Sequence, residues 1–227
     1  MNILYEDNHL IALNKSVSDL VQGDKTGDKS LDVKTKEYLK NLYKKPGNVF
    51  LGVIHRLDRP VSGVVVFART SKALSRMNKL FQEKKVQKKY WAIVSDKPPI
   101  EEERLDHFLV RKPNLNKSFA YSTAKKGSKE ASLSYRLMGR TKNYFFLEID
   151  LHTGRHHQIR CQLAKIGCPI KGDLKYGSGR SNPGGGISLH AREIEFIHPV
   201  LKEELKIIAD PPKDVLWNEF LEMAGNQ

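Results

Sequence analysis

The stretch VIHRLDRPVSGVVVFART, residues 53–70, sets His55, Arg56, Asp58 and Arg59 directly ahead of the apolar run Val64–Ala68. The run reads as a buried strand and the polar residues as the loop that enters it. A knot of ionisable groups abutting a rigid element is what catalysis requires, because strands and helices hold side chains more tightly than loops do. A surface ion-pair cluster has the same composition, and exposed pairs of that kind add little stability. Residue type alone leaves both readings open.

Outward from this stretch the chain alternates strands and helices, with no repeat and no low-complexity tail. Ile3–Tyr5 and Leu10–Asn14 read as strands around the turn Glu6-Asp7-Asn8, and Leu31–Leu42 as a helix ended by Pro46-Gly47. After the quoted strand, Ser71 is placed to cap a helix whose Leu74, Met77, Leu80 and Phe81 fall on one side. Lys89–Val94 resumes as a strand, and the Lys-rich segment Arg111–Glu130 reads as an exposed hairpin or long loop. Strict alternation of Phe145, Leu147, Ile149 and Leu151 marks a half-buried strand within Tyr144–Leu151.

That strand delivers the chain to a second polar knot, LHTGRHHQIRCQLAKIG, residues 151–167. Thr153-Gly154 makes a turn, and His156–Ile166 is expected to be helical, with Ile159, Leu163 and Ile166 facing the core and Gly167 as its stop. Arg160 then sits at the edge of the apolar face, placed to enter a cleft without leaving its helix. A Gly-rich loop, Gly177–Gly186, a strand beginning at Ile187 and a terminal strand around Leu205–Ala209 complete the chain before Pro211-Pro212. One domain or two small lobes both fit.

The 227 residues are 39% hydrophobic and 29% charged, enough apolar content for a sizeable core. No apolar run approaches a membrane span, and the first residues lack the basic and apolar regions of a signal peptide, so a cytoplasmic protein without membrane contact is expected. Only two cysteines are present, Cys161 and Cys168, which suggests no disulfide framework. Lys and Arg total 39 against 26 acidic residues, a net charge of +13 that favours a polyanionic partner. The excess is clustered at Lys84–Lys89, at Arg111, Lys112 and Lys117, and at Lys125, Lys126 and Lys129.

Three chemistries compete for the polar knots. Metal binding is suggested by the nearness of His152, His156, His157, Cys161, Cys168, His190 and His198, with His157 and Cys161 on one helix face; the spacing matches no zinc motif, and no metal is expected. Nucleophilic hydrolysis would use Ser62 or Cys161, but no Gly-x-Ser-x-Gly elbow surrounds either. A single carboxylate acting on a sugar or base is the third. Asp58 held by an arginine would stay ionised and could attack, or stabilise positive charge at, a glycosidic carbon.

HRLDRPVSGVVVFART resembles the catalytic motif of the RluA-type pseudouridine synthases. KKYWAIV, LHTGRHHQIRCQLAKIGCPIKGDLKYG and ISLHAREIEFIHP resemble the later motifs of that family, in the same order. The resemblance runs from about Ile3 to Pro212. It implies isomerisation of chosen uridines in structured RNA, ribosomal or transfer, to pseudouridine, without cofactor or metal. It also implies an α+β fold with a bent, mainly antiparallel sheet flanked by helices and an RNA-binding cleft. The expectation is one catalytic domain, residues 1–227, monomeric and lacking the small N-terminal RNA-binding module that many relatives carry.

Residue by residue, Asp58 matches the catalytic aspartate, Arg160 the arginine paired with it, and Tyr90 the tyrosine that stacks on uracil and assists removal of the C5 proton. Leu189 matches an apolar wall of the pocket, and Arg56 the residue that fills the gap left by the extruded base. Further RNA contacts are expected at His55, Lys89, Arg155, Lys125 and Lys126. The chain departs from the family pattern at Ser16 and Ser18, which stand for Pro and Gly, at Val61 for Thr, at His156 for Thr and at Gln162 for His. A catalytically silent RNA-binding or ribosome-assembly factor on the same fold is the alternative, because fold does not guarantee chemistry. Retention of Asp58, Tyr90 and Arg160 argues against it. A base-excising hydrolase would be set apart by release of free uracil.

Overall fold

The computed structural model describes residues 1–23 and 27–225. The chain divides into two compact units, Met1–Val86 with Arg192–Asp210, and Gln87–Ala191 with Pro211–Gln227.

In the first unit, β1 (Ile3–Glu6) and β2 (Leu10–Lys15) form the expected hairpin. The Asp7 carboxylate closes its turn, accepting the N–H groups of His9 and Leu10 at 2.8 and 2.6 Å. Helix α1 runs over Leu31–Leu42 as expected. β3 (Gly52–Val53) and β2 both pair antiparallel with β4 (Ser62–Ala68), and β2 and β4 stay in register from Leu10↔Ala68 to Lys15↔Gly63. All seven residues of β4 are buried, so its apolar run has a core on both faces. Helix α2 (Ser71–Gln82) presents Ala73 and Met77 to the core. Its cap is Thr70 rather than Ser71: Thr70 holds the extended backbone a cap needs, and its Oγ1 accepts from the Ala73 N–H at 3.1 Å.

The second unit is built on β5 (Gln87–Val94), β6 (Glu102–Lys112), β7 (Lys117–Tyr121), β8 (Lys129–Arg140) and β9 (Phe145–Leu151), ordered β5-β9-β8-β6-β7 with antiparallel pairing throughout. The basic segment Arg111–Glu130, expected as an exposed hairpin or long loop, holds the end of β6, all of β7 and the start of β8, with β6 and β7 paired as a hairpin. Pro113–Leu115 makes a 3-10 turn between β6 and β7, and the Ser128 N–H donates to the Lys125 carbonyl at 2.9 Å in the turn before β8. Gly127 has φ +77° there, which a side chain would strain.

Helix α3 covers Gln158–Lys165 and starts two residues later than expected, because His157 is left-handed at φ +54° and cannot join the first turn. His157 and Cys161 therefore do not share a helix face. Nor is α3 amphipathic: Gln158 to Leu163 are all buried, Arg160 included. Gly167, at φ +84°, ends it as expected.

The unit division falls inside β10 (Leu189–Ile197), which beyond Ala191 pairs antiparallel with β11 (Glu204–Ile208). A helix the periodicity did not bring out, α4 (Val215–Gly225), buries Trp217 and Phe220 against Trp91, Ile93, Met138 and Phe146. With four α-helices and antiparallel strands among the described residues, the class is α+β. No helix among the described residues is long and apolar enough to cross a membrane.

Candidate active site

Asp58 is half-buried on a tight turn between β3 and β4, closed by the Val61 N–H donating to the Asp58 carbonyl at 3.0 Å. The support beneath is a lysine. Lys15, at the end of β2, is 1% exposed, and its ammonium donates to the carbonyls of Ser16, Arg59 and Val61 at 2.9, 3.0 and 2.6 Å. Burial pulls its pKa down from 10.5 to about 8, against the opposing pull of the Asp19 and Asp58 carboxylates. The Arg59 carbonyl also accepts the Ser18 N–H at 3.0 Å. Ser18, standing where the family has Gly, keeps the left-handed backbone of a glycine at φ +71°. A serine in that conformation carries local strain that a glycine would not.

His55 extends the strand pairing that β3 begins: its Nε2 accepts the Val66 N–H of β4 at 3.0 Å. That bond places the ring proton of the neutral form on Nδ1. The ring also stacks on Phe81 of α2, with centroids 5.4 Å apart. Arg56 is exposed; with His55, Gln22, Asp32, Lys36 and the apolar Leu51, Val53 and Ile54 it lines a cleft of about 390 Å³. Arg59 points to Asp28, at 2.7 Å.

In the second unit, Tyr90 lies in β5 opposite Ile149, 9% exposed. Strand alternation puts Lys88 on the same face as Tyr90 and Lys89 on the other. Lys89 pairs with Glu148 at 3.1 Å, a carboxylate that also accepts the Trp91 indole N–H at 3.2 Å. The basic group nearest Tyr90 along the strand face is thus Lys88, whose Nζ lies 3.8 Å from where a Cβ of Gly154 would stand. Burial lowers its pKa to about 8.

Gln158 organises the second polar knot. Its Oε1 accepts from the Arg155 N–H and the Thr153 hydroxyl at 3.0 and 2.7 Å, and its Nε2 donates to the Ser132 carbonyl at 3.1 Å. Arg155 itself is exposed and donates through Nε to the Glu130 carbonyl at 2.9 Å. Arg160 forms a two-pronged pair with Asp173, at 2.7 and 2.9 Å. Gln162, the replacement for a family His, donates to the Leu105 carbonyl at 3.0 Å and meets His107 Nδ1 at 3.0 Å. Leu189 is 3% exposed at the start of β10, while Lys125 and Lys126 are exposed on the turn before β8.

His156 meets Ser118 Oγ and Asn116 Oδ1 at 2.9 and 3.2 Å and stacks on His157. His157 is buried beside Tyr176, and burial with the nearby Arg160 charge pushes its pKa down to about 2. Among the described residues no three His, Cys, Asp or Glu side chains gather as a metal cluster. Lys15, Lys88 and Asp173 are the residues that sequence reasoning missed. Lys88 stood out only as one of a basic cluster, and Lys15 and Asp173 only as a lysine in NKSVSDL and an aspartate in KGDLKYG, none with a stated partner.

A family model described as RNA pseudouridylate synthase matches residues 9–165, a span that contains Asp58, Tyr90 and Arg160. The chain belongs to the RNA pseudouridylate synthase family. An uncharacterized RNA pseudouridine synthase of Synechocystis is 33% identical over 219 residues, covering 93% of this chain and 66% of that protein. tRNA pseudouridine synthase C of Vibrio parahaemolyticus is 32% identical over 240 residues, covering 97% of this chain and 93% of that protein. Other matches are named ribosomal large subunit pseudouridine synthase C and D. Among solved structures, human RNA Pseudouridylate Synthase Domain Containing 4 has the same fold at a TM-score of 0.79 and 25% identity, over 98% of this chain and 92% of that one. The RluA-type resemblance read from the motifs and the α+β class agree with these likenesses.

Proposed function

We propose that this chain converts uridines in structured RNA to pseudouridine, with Asp58 as the catalytic carboxylate, Arg160 as its cationic partner and Tyr90 as the stacking and proton-handling aromatic. The reaction breaks the bond from C1′ to N1, turns the uracil and joins C5 to C1′. The C5 proton leaves as N1 gains one, so no redox partner is required. A paired base is out of reach, so the uridine must leave its stack and enter a pocket. Ionised Asp58 attacks, or stabilises charge at, C1′, while exclusion of water prevents hydrolysis. Leu189 supplies an apolar wall, and Arg56 and His55 lie on the RNA side.

The observation that carries this reading is the Asp58 turn, fastened to β2 by a buried lysine that touches three carbonyls. A mere surface ion pair would not need so rigid a seat. A single family model over residues 9–165, with parts in both units, supports one catalytic domain. The basic excess suits RNA phosphates, with Arg155, Lys89, Lys125 and Lys126 among the contacts. The names of the relatives favour tRNA or large-subunit rRNA as substrate. Incubation with unmodified transcripts of both classes, carrying tritium at uridine C5, tests this. Tritium release from one class supports the proposal, and release from neither refutes it.

A further inference from the structure

We propose that Asp173 is a positioning residue that fixes the guanidinium of Arg160 for the reaction; this rests on the synthase reading above. Arg160 presents Nε and Nη2 to the two carboxylate oxygens of Asp173 at 2.7 and 2.9 Å, with the side chains 5% and 1% exposed. A single contact would let the guanidinium swivel, whereas this fork sets its plane.

Asp173 is itself anchored. Its N–H donates to the Ile170 carbonyl, and its own carbonyl accepts the N–H groups of Tyr176 and Ser178, all at 3.0 Å. Tyr176, from the same turn, places its ring 5.1 Å from the Arg160 guanidinium, close enough for a cation–π contact. The Tyr176 hydroxyl accepts the Ser118 N–H at 2.8 Å and lies 3.1 Å from the Ser118 carbonyl, which ties the turn to β7. The Gly-Asp-Leu-Lys-Tyr segment thus holds Arg160 by its charge, its plane and its face.

Energetics favour an essential partner. A buried guanidinium without a carboxylate is strongly unfavourable, and the pair makes it tolerable by neutralising the charge where it lies. Arg160 then acts as an oriented group of fixed plane. Misplacing a catalytic group by about 1 Å can cost roughly 10²-fold in rate.

The test measures single-turnover rates at saturating RNA, together with RNA Kd, for wild type, Asp173→Asn, Arg160→Lys and the double variant. A lysine cannot take the fork. Asp173→Asn should lower the rate by roughly 10²-fold with Kd unchanged. In the Arg160→Lys background the same change should cost at least tenfold less, because the residues act as a unit. Equal losses in both backgrounds, or a loss confined to Kd, would overturn the assignment. If circular dichroism shows Asp173→Asn unfolded, Asp173→Glu keeps the charge and moves it by one methylene; reduced turnover supports the proposal and wild-type turnover overturns it. Wild-type protein that forms no pseudouridine would instead bring down the synthase reading.

Discussion

Lys15→Met removes the ammonium beneath the Asp58 turn and keeps most of the side-chain volume. Of the three carbonyls it serves, that of Arg59 retains the Ser18 N–H at 3.0 Å and that of Ser16 retains a longer contact, 3.4 Å from the Asp19 nitrogen. The buried bond to Val61 has the greatest weight, and an orphaned buried carbonyl costs about 1–3 kcal/mol. Relief of the desolvated ammonium offsets part of that, for a net loss of about 1–2 kcal/mol. In a chain of this size that lowers the melting temperature by roughly 2–8 °C. Turnover should suffer more, about 10²-fold, because the turn no longer fixes Asp58.

Lys15 also predicts opposite trends with pH. Its folded pKa of about 8 lies below the unfolded 10.5, so between those values the unfolded chain binds more protons and stability from this group rises with pH. Over the same window the ammonium that supports Asp58 is lost, so turnover falls above about pH 8. Lys88 titrates in the same range, so the assay compares pH–rate profiles of wild type, Lys15→Met and Lys88→Met alongside thermal melts. The basic limb should vanish in Lys15→Met alone. Wild-type turnover at pH 7 in Lys15→Met would refute the argument.

Tyr90→Phe keeps the ring but loses the phenol, and single-turnover chemistry should slow by about 10²- to 10⁴-fold if the hydroxyl helps take the C5 proton; an unchanged rate leaves only stacking. Replacing Lys125, Lys126 and Lys129 together by Gln should flatten the log–log salt dependence of RNA binding by about 2–3, since each phosphate contact contributes roughly 0.7–0.9. A wild-type slope with a changed target uridine would show that this turn reads identity instead. Ser18→Gly should raise stability by up to about 1 kcal/mol in denaturant titration, because glycine accepts the left-handed backbone without strain. A destabilised variant would contradict that account.

Elements with strong local patterns were legible in the sequence. The apolar run of β4, the hairpin before it and the limits of α1 depend on burial and turn chemistry that neighbouring residues encode. Helix α3 was placed too early because the left-handed His157 sits against Tyr176, a contact nineteen residues away that no window captures. The stripe of α4 needs Trp91 and Phe146 from distant strands before it has anything to cover. Within the site, motif order marked Asp58, Tyr90 and Arg160. Lys15 stayed hidden because its work begins only when β2 pairs with β4, and Asp173 because its partner lies thirteen residues back on a buried helix.

The central claim is tested most directly by nucleoside analysis of one RNA substrate after incubation with purified wild-type protein and with Asp58→Asn. The account predicts pseudouridine at a defined position with wild type, no free uracil in the medium, and no pseudouridine with Asp58→Asn although RNA binding is retained. Pseudouridine formed by Asp58→Asn at the wild-type rate, or uracil released in its place by the wild type, would contradict it.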